Sequence, residues 1–373
     1  MVMIGRGSWR GWWLVVLGVV AVFAVAVRAG AEDTAGPGSK QAKGMMLPAV
    51  PHGGPGNSYA RGLSIALSYA GTPTDYDSIM GDTGMAFILQ AEEGGPIVNG
   101  SVDVGWWPLG AWGVEHRVGF LAQTAGRDIR VIAAIPDDYQ ADPAAHYQRQ
   151  YAREITTSLA SGRPVLAEQD LCFVITGLDN GKPPILGMCP LAEERKAVRD
   201  TEYPWGLMVL GDVRERMDRL AADREALRYA AALGQDAVEV SVPEPWDEWN
   251  PITNRTTGQK SFALWQQALR DTEHLGEPRY HANMVLHLGL NRRSAVVYLR
   301  AMAKRHPQAA AVHLNAAADQ YQQVLAALEA ADTSEAAMNG REGRERLAHL
   351  VGRCAEIEAK AVGEIEQAVE AMR

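Results

Sequence analysis

NSYARGLSIALSYAGTPTDYDSIMGDTGMAF, residues Asn57–Phe87, is the stretch on which the reading of this chain turns. A short polar residue opens it, and apolar Leu63, Leu67 and Tyr69 follow at helical spacing before a stop at Gly71. Apolar residues recurring every three or four positions describe an amphipathic helix with one face in a core. Ser58 is of the type that caps such a helix, its hydroxyl accepting a backbone N–H of the first turn. A second element ends in the turn Met80-Gly81-Asp82-Thr83-Gly84, with Phe87 three residues further on.

The order of polar start, Leu63, Gly71 and MGDTG-x-x-F resembles the nucleophile helix of papain-like cysteine peptidases. It is similar above all to the bacteriocin leader peptidases and to the N-terminal domain of the butirosin-pathway acyltransferase. Those proteins begin the helix with Asp-Cys or His-Cys, five residues before a leucine. Here that leucine is Leu63, so the nucleophile position falls on Ser58 behind Asn57. The resemblance covers 45–212 and implies an α+β domain, with the nucleophile helix preceding an antiparallel sheet that carries the base.

The chemistry of that family needs a thiolate at a helix N-terminus, an imidazole, a group orienting the imidazole, and an oxyanion donor. The helix start lowers a thiol pKa through its unpaired N–H groups. A serine hydroxyl is far too weak an acid for the same help, so Ser58 would need a base within hydrogen-bond reach. The family's base opens a strand of the form His-x-Val-x-x-x-Gly-Tyr-Asp. The matching strand here reads LCFVITGLDN, in which Gly177 and Asp179 fit and the histidine position holds Leu171 and Cys172. The resemblance therefore implies a lost Cys–His pair. His52 stands where the family carries its oxyanion glutamine, and His116 follows a tryptophan-rich loop. Ser58, Cys172, His52, His116 and Asp179 are the catalytic candidates. Asn57, Trp106, Trp107 and Trp112 are the ligand-binding candidates. His146, on an amphipathic helix with polar neighbours, reads as solvated.

Outward from this segment the chain divides into five parts. Arg6 and Arg10, the apolar run Trp12–Val27 and the small residues Ala29-Gly30-Ala31 form a targeting segment over 1–31. The run makes about 24 Å of helix, short of the roughly 30 Å of a membrane span. It is either cleaved after Ala31 or retained as a signal anchor, and both place the rest outside the cytoplasm. Residues 32–44 are a Gly/Ser/Lys-rich disordered tether. The α+β part follows over 45–212, with a strand at Ile129–Ala134, a helix at Ala145–Ala160, and strands in GRPVLAE, LCFVITGLDNG, PPILGM and GLMVLGD. Residues 213–260 comprise a charged helix at Val213–Gly234 and a Pro/Trp-rich connection. Residues 261–373 read as a bundle of helices, broken at Gly276-Glu277-Pro278 and reopened at Pro307.

With 373 residues, 47% apolar and 22% charged, the chain can build a sizeable core. A net charge of −9 with no long basic run speaks against nucleic-acid binding. There are three cysteines, Cys172, Cys189 and Cys354. A two-residue turn on Asn180-Gly181 would set Cys172 opposite Cys189, where a disulfide could form, although Pro184 works against that register. No CxxC or HExxH spacing occurs, and neither metal nor cofactor is expected. The leading expectation is an exported, papain-like-fold pseudoenzyme that binds a peptide or small molecule and touches a membrane only through its N-terminal segment. Its rivals are an active hydrolase or acyltransferase using Ser58 or Cys172, and a structural envelope protein.

Overall fold

Helix α1, Ser58–Tyr69, begins one residue earlier than a Ser58 cap would set it, because Asn57 is the cap. The Asn57 Oδ1 accepts the Ala60 N–H at 3.0 Å, which puts Ser58 at the first helical position. The computed structural model describes residues 56–92, 114–133, 141–168, 172–179, 182–188, 198–200, 203–204, 206–238, 255–271 and 275–373. His52, Trp106, Trp107, Trp112, Leu171 and Cys189 lie outside them, as does the targeting segment. Helix α2, Tyr76–Asp82, is capped by Asp75, which accepts the Ser78 N–H at 2.9 Å. Among the described residues, no helix is long and apolar enough to cross a membrane.

Six strands form an antiparallel sheet in the order β2-β7-β3-β4-β5-β6: β2 is Arg127–Ala133, β3 Val165–Glu168, β4 Phe173–Asp179, β5 Lys182–Met188, β6 Val198–Asp200 and β7 Gly206–Val213. Helix α3, Val114–Ala125, leads into β2. Consecutive residues Val165–Ala167 and Cys172–Thr176 are all buried, so both faces of the central strands are covered. The fold is thus mixed α+β, helix first and antiparallel sheet later. A second, two-stranded sheet pairs β1, Gln90–Glu92, with β8, Arg255–Thr257, inside the stretch read as a connection.

Three elements differ from expectation. The helix expected at Ala145–Ala160 is α4, Pro143–His146, then a π-helical turn at Tyr147–Tyr151, then α5, Ala152–Ala160. The wider turn puts His146, Tyr147 and Tyr151 all inside. The helix expected from Val213 begins at Arg219 as α6, Arg219–Gly234, because β7 runs on to Val213 and Asp218 supplies the cap. The expected turn residues Asn180-Gly181 lie outside the described residues; in the β4–β5 hairpin Asp179 faces Lys182, and two register shifts follow. At its far end Val174 faces Met188, one residue out of step with a Cys172–Cys189 facing pair. The hairpin's pairing is therefore not the one such a disulfide needs.

The remaining helices are α7, Gly258–Arg270, α8, Pro278–Ala303, α9, Gln308–Leu328, α10, Glu335–Asn339, and α11, Arg341–Ala371. Pro278 at the start of α8 and Pro307 before α9 sit where a missing N–H costs nothing. The larger core cluster runs from Leu63 and Leu67 in α1, through Leu166 and Ile175 in the sheet, to Tyr298, Leu314 and Ile365 in α8, α9 and α11. A smaller cluster gathers Leu89, Phe262, Trp265, Leu288, Val324 and Val351.

Candidate functional site

The start of α1 meets the start of β4. The Ser58 hydroxyl accepts the Cys172 N–H at 3.4 Å, across 114 residues of sequence, and both residues are buried. One turn further along α1 is Gly62, where a Cβ would lie 2.9 Å from the Cys172 Sγ, 3.1 Å from Leu166 Cδ2 and 3.4 Å from Val174 Cγ2. Only a glycine lets the helix lie this close to the strands. The same geometry fixes the Cys172 thiol. It lies under the helix against Gly62, fully buried. A thiol packed there is a small core group, out of reach of a substrate.

Around the cap, a polar cluster holds α1 to α2. Tyr76 Oη accepts the Asn57 N–H at 2.9 Å, and the Arg61 guanidinium stacks 3.5 Å from the centroid of the Tyr76 ring. Burial raises the Tyr76 hydroxyl above its ordinary pKa, against the pull of the Asn57 N–H and of Arg61. Burial likewise raises Asp77, which the Ser294 hydroxyl of α8 partly offsets. Asn57 is therefore committed on both its backbone and its side chain to closing the helix start. Arg61 and Tyr76 were not singled out in the sequence. Their only trace there is the i+4 placement of Arg61 after Asn57, which many surface helices share.

His116 falls on α3 and Asp179 at the hairpin end of β4, with only their backbones described. His146 is buried, its ring edge-on to Tyr151 at 5.1 Å, so the solvated reading is corrected: the π-turn rotates it inward. Other histidines are engaged in the helical half. His281 accepts from Trp265 Nε1 at 3.1 Å and contacts the Leu275 carbonyl at 2.6 Å. His306 and His313 pair with Asp223 and Glu364. Among the described residues, no group of three or more His, Cys, Asp or Glu is placed to hold a metal ion.

The MGDTG turn has a different role from the helix start. Asp82 is fully buried and receives both Arg219 nitrogens, Nη2 at 2.7 Å and Nη1 at 3.0 Å, plus the Tyr298 hydroxyl at 2.6 Å. Arg117 donates to the Asp82 carbonyl, its guanidinium lying between the rings of Phe120 and Tyr229. A Cβ on Gly81 would stand 2.4 Å from the Tyr298 ring. The turn is thus a docking point for α6 and α8. No protein-family model matches this chain, and no curated protein is similar to it in sequence.

Proposed function

We propose that this is an exported protein of papain-like fold whose nucleophile position has become a structural contact, and that it binds a peptide or small molecule without turning it over. The observation that carries the reading is the Ser58 hydroxyl accepting the Cys172 N–H at the point where the family joins its thiol to its imidazole. A hydroxyl nucleophile must give its proton to a base, and general-base help is worth on the order of 10²–10⁴-fold. At this helix start, the described neighbour of the hydroxyl is a backbone donor. The order of α1, α2 and then an antiparallel sheet whose β4 follows Cys172 supports the family assignment. The candidate ligand contacts are those of the tryptophan loop, Trp106, Trp107 and Trp112.

Incubation of the purified protein with a fluorophosphonate and with thiol-directed acylating probes, followed by peptide mapping, tests the proposal. The expected result is no adduct on Ser58. Labelling of Ser58 that disappears on His52→Ala or His116→Ala would instead identify a rewired hydrolase.

A further inference from the structure

We infer that residues 80–92, running out of the MGDTG turn, form a strap that the helical half holds as it would a bound peptide, making the α1 site and the C-terminal helices one cooperative unit. The strap is gripped at three places by three sets of elements. At its start, Asp82 is held by Arg219 of α6 and Tyr298 of α8. In its middle, Arg292 of α8 donates Nη1 to the carbonyls of Ala86 at 3.0 Å and Ile88 at 3.1 Å. At its end, the Leu89 carbonyl accepts the Gly258 N–H at 3.1 Å, and Gln90–Glu92 pairs antiparallel with Arg255–Thr257.

Met80–Asp82 closes α2 and residues 83–87 run in turns, with the Ala86 N–H bonded to the Met80 carbonyl. From residue 88 on the backbone is extended and is recognised by main-chain hydrogen bonds with side chains seated in pockets. Phe87 lies against the rings of Tyr298 and Tyr321, at 6.2 and 5.9 Å between centroids. Leu89 and Ala91 enter the smaller core cluster among Phe262, Trp265 and Leu288. The clasp itself is a buried ion pair, Arg292 forked on Glu358 of α11 at 2.5 and 2.7 Å, with Arg292 wholly inside. A buried arginine whose fork is shared between a carboxylate and two strap carbonyls ties α8 and α11 to the strap in one network. Its carbonyl contacts are satisfied only when the strap is in place. The coupling holds whether or not Ser58 is a nucleophile.

Hydrogen exchange of the full chain tests it, comparing wild type with Arg292→Met, which leaves Glu358 buried and unpaired, and with Leu89→Ala, a milder change that keeps the test readable should Arg292→Met not fold. Amides of α1 between Leu63 and Leu67 and of β4 between Val174 and Thr176 should lose protection together with those of α11 between Leu347 and Ile365. The expected factor is about thirtyfold or more for Leu89→Ala. Faster exchange confined to α7, α8 and α11, with α1 and β4 unchanged, would overturn the inference.

Discussion

Gly62→Ala probes the closeness of α1 to the sheet, and two opposed effects set its size. Alanine in place of glycine inside a helix is worth about 1 kcal/mol of stability. Against that, the new methyl would sit 2.9 Å from the Cys172 Sγ and 3.1 Å from Leu166 Cδ2, both on fully or almost fully buried side chains with no solvent to swing into. Overpacking of that kind costs about 1–3 kcal/mol. The net expectation is a loss of about 0–2 kcal/mol, read as a lower urea midpoint at unchanged slope. Cys172→Ala in the same chain removes the nearest obstacle, so the double variant should be more stable than the two single effects sum to, by about 1 kcal/mol. Gly119 of α3 supplies the control. It is helical and has nothing within 4 Å of a would-be Cβ, so Gly119→Ala should stabilise by about 0.5–1 kcal/mol. A Gly62→Ala protein that gains as much as Gly119→Ala would refute the close approach, and with it the placement of Ser58 against Cys172.

Asp82→Asn should cost about 3 kcal/mol, because it strips the charge from a buried carboxylate that holds both Arg219 nitrogens and the Tyr298 hydroxyl; a change within 0.5 kcal/mol in chemical denaturation would show the turn is not a docking point. Acid should destabilise the fold in two windows. Burial lowers the pKa of His281 despite its Leu275 carbonyl contact, so its contribution is complete above the unfolded value of 6.5 and is lost as pH falls through the folded one. For Asp223, burial alone would raise the pKa, but Arg305 and Arg219 hold it below 3.8, so its contribution fades only in stronger acid. Thermal melts from pH 8 to pH 3 should therefore fall in both ranges, and His281→Gln should flatten the upper one.

Much of the helix-then-sheet order was legible because α1, β3, β4 and β7 carry strong local patterns of apolar residues between glycines and prolines. The meeting of Ser58 with Cys172 was implied by the resemblance alone, which set Leu63, Gly177 and Asp179 on the family's positions. The direction of the Cys172 thiol was not, since which face a strand residue takes changes with every slip of register, and bulges lie between Ile175 and Gly177 and between Leu178 and Asp179. Strands β1, β6 and β8 are three residues each and owe their form to partners far away in sequence, as Gln90 does to Thr257. The partners of Asp82 lie 137 and 216 residues further on, so a motif that reads as a family signature gives no local sign of what it binds.

The most direct test of the proposed papain-like site is the pH–rate profile for alkylation of residue 58 in a Ser58→Cys variant, resolved from the native cysteines by mass mapping, with and without Leu171→His. A thiolate placed there would receive the Cys172 N–H and the unpaired N–H groups of the α1 start. Its apparent pKa should fall below the ordinary 8.5 or so, and Leu171→His should lower it further and add a second inflection from the imidazole. A thiol at residue 58 that titrates at its ordinary value and is indifferent to Leu171→His would contradict the account.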